Sequence, residues 1–127
     1  GPFEQPKMAK TVEGLPEIKA PDALFIDMAP VMINVMQSGS ILTTIQLELK
    51  IETAGQDNII KIKRMLPIYR DAFVKDLHSF VPRMLSELER LDLPTLKQRM
   101  QLVADKVAGE MGIVRGVLIQ SILDTPQ

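Results

Sequence analysis

The sequence predicts an α+β domain: a small, mainly antiparallel sheet in the order strand, strand, helix, helix, strand, with the helices packed on it. Three observations carry this. Ile41, Ile45, Leu47, Leu49 and Ile51 alternate with Thr44, Gln46, Glu48, Lys50 and Glu52, the period of a half-buried strand. Ile62, Leu66, Tyr69, Phe73, Leu77 and Phe80 recur at the spacing of one helical face. A β-branched, almost continuous apolar run, "IVRGVLIQSIL", returns near the end.

Residues 1–21 hold Pro2, Pro6, Pro16 and Pro21 among Lys, Glu and Gly. That composition predicts an extended, flexible linker, and the opening Gly1-Pro2 resembles the remnant of a removed tag. The domain should occupy residues 22–127, opening with a short turn of helix at "PDALFID".

In "MAPVMINVM", Met28, Met32 and Met36 recur every four residues. Four is a helical spacing, but it is also even, and residues two apart share a face of a strand. Pro30 decides, since inside a helix it would cost about 3 kcal/mol, whereas near a strand start it is tolerated. The segment is predicted as a strand from about Val31 to Met36. Met28, Met32, Asn34 and Met36 then line one face, and Val31, Ile33 and Val35 the other. "QSGS" is turn chemistry, so this strand should form an antiparallel hairpin with the alternating one, whose pattern breaks at Leu42-Thr43.

Asp57 or Asn58 is placed to cap the next helix. Pro67 lies inside its apolar pattern, so either a kink or a junction of two helices is expected there. Pro82 repeats the problem and predicts an offset helical piece over "PRMLSELERL". A further helix starts at Asp92 as cap with Pro94 in its first turn. Its expected buried stripe is Leu96, Met100, Val103 and Val107, and Gly109 and Gly112 end it. The last strand reads as buried on both faces, with Gly116 marking a bulge or close packing.

The chain has 127 residues, 46% hydrophobic, enough for one core. It lacks cysteine, which excludes disulfides and thiolate metal sites. Lys plus Arg number 15 against 16 for Asp plus Glu, and the aromatics are one Tyr and four Phe. Such a chain is poorly equipped to neutralise phosphates or stack on bases, so nucleic-acid binding is not expected. No run reaches the roughly 18–20 apolar residues of a membrane span.

His78 is the only histidine, and nothing marks an acid–base partner for it. "GEMGIVRG" lacks phosphate-loop spacing and follows a helix rather than a strand. "QSGS" lacks the frame of a nucleophile elbow, and the acidic residues show no EF-hand spacing. No catalytic, metal or cofactor-binding residues are therefore predicted, and the expectation is a protein that is not an enzyme and needs no cofactor. Two features remain as candidates for interaction. The basic cluster of Lys61, Lys63 and Arg64 is either a solvated helix face or a contact for an acidic partner. The methionine face is either core filler under the helices or an adaptable binding surface.

Three stretches resemble the periplasmic domain of the flagellar basal-body-associated FliL family. "FIDMAPVMINV" is similar to its first-strand pattern, through Phe25, Met28, Pro30 and Asn34. "RMLPIYRDAFVKDL" resembles its helical signature, through Pro67, Ile68, Arg70 and Asp71. "VRGVLIQSIL" resembles its closing strand. The likeness runs from Phe25 to Leu123, with Val31 where the family commonly has Phe and Gln120 ahead of "SIL" rather than at the strand end. It implies a stomatin-like fold and structural roles for Pro30, Pro67, Arg70 and Asp71. It also implies a single-pass inner-membrane protein with this domain in the periplasm, its membrane helix lying ahead of residue 8. The implied role is accessory: a ring-like homo-oligomer that braces or regulates the stator units, with the stator and basal-body proteins as partners. The alternative is a membrane-anchored periplasmic interaction domain of the same fold with no part in motility.

Overall fold

The computed structural model describes residues 9–10, 16–17 and 23–127. Most of the segment expected to be a linker lies outside the described residues. Within it, β1 (Ala9–Lys10) and β2 (Pro16–Glu17) pair antiparallel. The domain then runs β3 (Ala23–Asp27), β4 (Val31–Gln37), β5 (Ser40–Ala54), α1 (Gln56–Arg64), α2 (Leu66–Leu88), α3 (Leu93–Ala108) and β6 (Gly116–Pro126).

The fold is α+β: among the described residues, a four-stranded antiparallel sheet with three helices on it. The long β5 is its axis. On one side it pairs with β4 along residues 40–47 and with β3 along residues 50–54; on the other it pairs with β6. The stretch "ALFID" is thus a strand and not the expected turn of helix. Its Ile26 stands opposite Ile51 in the core, a partner twenty-five positions away that local pattern does not reveal.

Ser38 and Gly39 join β4 to β5 with φ of 52° and 81°. Two positive φ values are what a two-residue hairpin turn with the strand twist requires. The break in alternation at Leu42-Thr43 is a β-bulge: Val35 pairs with Thr43 and Met36 with Ile41, leaving Leu42 unopposed. A second bulge lies in β6. Leu49 pairs with Ile119 and Glu48 with Ser121, so the extra residue is Gln120 and not Gly116, which pairs with Glu52.

One face of the sheet meets the helices. Val31, Ile33, Val35, Ile45, Leu47, Leu49 and Ile51 are buried there against Ile62, Tyr69, Phe73, Leu77, Val81, Met84, Leu96, Met100 and Ala104. In α3 the fully buried third position is Ala104; Val103 and Val107 are only half-buried. The closing strand is an edge, not a doubly buried strand. It pairs with β5 alone among the described residues, and only Val117 in it is fully buried.

The prolines resolve in two ways. At Pro67 two helices meet. Met65 closes α1 by donating to Lys61 and Ile62, and its carbonyl accepts from Ile68 and Tyr69 to open α2. Pro67 therefore sits in the first turn of α2, where its missing N–H costs nothing. Pro82, by contrast, lies inside one continuous helix rather than starting an offset piece. Helix α1 begins at Gly55, φ 84°, with no side-chain cap; Asp57 lies in its first turn and Asn58 donates back to the Ala54 carbonyl. Asp92 does cap α3, accepting from the Thr95 N–H at 3.3 Å, and Gly109 ends it at φ 84°.

Candidate interaction surface

Among the described residues the second face of the sheet carries no helix, and the side chains on it follow from register. Rows run across the strands as Met32–Gln46–Leu123 and Asn34–Thr44–Thr125, with Met36 opposite Ile41. Met32 is 47% exposed, Met36 55% and Leu123 57%; Ile41 and Leu42 are exposed beside them. Thr44 donates to the Asn34 side-chain oxygen at 2.9 Å. This fixes the amide between the two methionines and leaves their flexible thioethers as the adaptable part of the face.

The far end of the same face is charged. Glu48, Lys50 and Glu52 project from β5, and Phe25 and Asp27 join them from β3. Lys50 Nζ lies 3.6 Å from the Asp27 carboxylate and 5.9 Å from the centre of the Phe25 ring. The face thus divides into an apolar end at the hairpin and a polar end where β3 enters.

Met28 does not belong to it. One extra residue between β3 and β4 breaks the even-number rule that put it with Met32 and Met36: the two strands run in the same direction along β5, but the step from Asp27 to Val31 spans only Lys50 to Leu47. It lies outside both strands, donates its N–H to the Leu49 carbonyl at 3.1 Å, and is buried in the core. Lys61 and Arg64 are exposed on α1, in the helix layer and near the opposite end of β5. The basic cluster and the methionines are therefore two separate features.

The residues expected to be structural come together in part. Arg70, from α2, donates Nε to the Ala29 carbonyl at 3.3 Å and a terminal N–H to the Pro30 carbonyl at 2.6 Å. It locks α2 to the point where the chain enters β4, where Pro30 precedes the first ladder residue. Asp71 faces water and pairs with Lys75 at 3.0 Å, an exposed i,i+4 pair of small energetic weight.

Sequence reasoning missed a bidentate contact between two helices. Arg99 of α3 grips Asp76 of α2 through two parallel bonds of 2.8 and 2.6 Å, with its guanidinium 5.1 Å from the Phe80 ring. The fork geometry makes this pair a fixed clamp between helices. Charged residues at such spacing also occur on solvated faces, so no local signal marks it.

Burial, and secondarily the negative charge of Asp105, raise the pKa of Tyr69. The Asp92 carboxyl is held below the usual range by the Thr95 hydroxyl first and then by Arg90. His78 is exposed, with Nδ1 2.8 Å from the Val74 carbonyl. Among the described residues no group of three or more His, Asp or Glu side chains is placed to hold a metal ion, and no helix is long and apolar enough to cross a membrane. No family model matches the sequence, and no curated protein matches it.

Proposed function

We propose that this chain is a non-enzymatic accessory domain of the bacterial flagellar motor, of the FliL type. In this reading it is held in the periplasm by an upstream membrane helix and forms ring-like homo-oligomers around the stator units. The observation that supports it best is the Arg70 lock. The first-strand stretch around Pro30 and the helical stretch around Arg70 each resemble the family separately, 40 residues apart. They touch through the 2.6 Å bond to Pro30. Two stretches that resemble the family separately thus form one structural joint. The second sheet face adds what a scaffold needs, an apolar end with no helix upon it among the described residues.

The test is genetic. Disrupting the gene in the source bacterium should shrink the motility halo in soft agar while flagella still assemble, and a fluorescent fusion should gather at flagellar bases only when stator proteins are present. Normal motility together with an even distribution around the envelope would refute the motor role.

A further inference from the structure

We infer that β6 is a homodimerisation strand, pairing antiparallel with β6 of a second copy about a two-fold axis between Gln120 and Ser121. This goes beyond the motor reading and does not rest on it; it stands on the strand alone.

The strand is an edge that lacks most of the usual defences. Among the described residues β6 bonds only to β5, so its other side offers a row of backbone N–H and C=O groups. From Val117 to Thr125 it contains no proline and no lysine or arginine, and its only charge is Asp124. Protected edges ordinarily carry such residues.

A second copy is the occupant because the pattern is its own mirror. Residues 118–123 read Leu-Ile-Gln-Ser-Ile-Leu. An isologous interface needs a surface complementary to itself. Antiparallel pairing about the stated axis sets Leu118 opposite Leu123 of the second copy, Ile119 opposite its Ile122, and Gln120 opposite its Ser121.

Facing side chains must also share a face of the extended sheet. In a regular strand an axis between two residues would violate this, setting each residue against one of the other face. The bulge removes the conflict. Val117, Ile119, Ile122 and Asp124 stand on the core face, across from Ile51, Leu49, Leu47 and Ile45. Leu118, Ser121, Leu123 and Thr125 stand on the open face, across from Lys50, Glu48, Gln46 and Thr44. The extra residue at Gln120 shifts the alternation halfway along, so Leu118 and Leu123 match on one face and Ile119 and Ile122 on the other. A bulge often discourages edge pairing; here it brings the two halves into phase.

The surroundings fit. Ile119 and Ile122 are only half-buried by their own helix layer, which leaves surface for a neighbour. The same register sets Asp124 of the second copy opposite Val117, on the core face. Val117 there borders a groove shared with Lys97 of α3, which makes no ion pair among the described residues. The two Asp124 side chains fall about 23 Å apart, seven residues of strand. An isologous pair closes on itself, so a ring would need a second, different contact.

Cysteine chemistry reads the register directly, because the chain has none of its own. Leu118→Cys and Leu123→Cys proteins, each checked for native circular dichroism, are oxidised alone and as an equal mixture. Opposed residues of an antiparallel pair come close enough for a disulfide. The mixture should yield a covalent dimer holding one chain of each kind, and either variant alone should not. The unmodified chain should double its mass with concentration in sedimentation. Ser121→Lys, at an exposed position beside Glu48, should stay folded and weaken the dimer at least tenfold by setting two ammonium groups near the axis. A chain that remains monomeric up to about 1 mM, a mixture that cross-links no faster than its components, or association untouched by Ser121→Lys would each overturn the inference.

Discussion

Replacing Met32 by lysine should leave the domain folded, whereas replacing its neighbour Ile33 should not. The two side chains leave β4 in opposite directions: Met32 is 47% exposed and Ile33 0%. Burying a methionine completely is worth about 1.5–3 kcal/mol, so with roughly half of Met32 already in water its loss puts about 1 kcal/mol at stake. A lysine stem keeps some of that contact while its ammonium reaches solvent, so the net change should stay below about 1 kcal/mol. Ile33→Lys places an unpaired charge among Val31, Ile45 and the helices, at a cost of several kcal/mol. That rivals the whole stability of about 5–15 kcal/mol expected of a domain. Thermal unfolding reads the difference, at about 3–5 °C per kcal/mol for a chain of this length. Tyr69, the only tyrosine and fully buried, gives a near-ultraviolet signal of tertiary packing. Met32→Lys should lower the midpoint by less than about 5 °C. A fall beyond about 10 °C, or an Ile33→Lys protein that melts like the parent, would show that the faces have been assigned the wrong way round.

Arg70→Met keeps the aliphatic stem but removes both bonds to the Ala29 and Pro30 carbonyls; denaturant titration should show a loss of about 1–2 kcal/mol, little of it recovered by Arg70→Lys, which lacks the fork. A loss under about 0.3 kcal/mol would remove the lock from the fold's account. Pro82→Ala restores an N–H inside α2 for the carbonyl one turn earlier, so the midpoint should rise, by an amount equivalent to about 1–2 kcal/mol; an unchanged or lower midpoint counts against the helix being strained there. Asp92 titrates low in the folded protein because the Thr95 hydroxyl and Arg90 favour its charged form. The stability it contributes is therefore complete above the ordinary aspartate range and is lost as pH falls through the lower folded value. An NMR titration should place its midpoint below that of an unfolded peptide, with faster amide exchange at Thr95 once it is protonated; a midpoint at the peptide value refutes the cap as described.

Much of the local architecture was legible in the sequence because its causes are local. Alternation from Ile41 to Ile51 marks a strand with one wet face, and its interruption at Leu42 is the bulge. Ser38-Gly39 supplies the positive φ pair of the hairpin, and Asp92 and Gly109 bracket α3 through bonds within a few residues of themselves. Pro67 marks a kink or a helix junction, since a proline cannot donate to the ladder, and a junction is what forms there. Whether Pro82 would be absorbed depends instead on what surrounds it: Val81 and Met84 are held in the core on either side, and packing overrides the lost bond.

The open face was only half legible. Its alternation separates Met32 and Met36 from Val31, Ile33 and Val35 without ambiguity, but a period-two pattern is symmetric. It says that two faces exist and not which one the helices take. That choice belongs to tertiary structure, made where α1 leaves β5 and Arg70 ties α2 to the start of β4. The same holds for Met28, turned into the core by the extra residue between β3 and β4, for β3 itself, whose partners lie on β5, and for the Arg99–Asp76 clamp, which exists only once two helices lie side by side. Sequence periodicity is a property of neighbours along the chain. Which face the helices cover, and which strand ends the sheet among the described residues, is decided by segments about twenty to eighty residues apart.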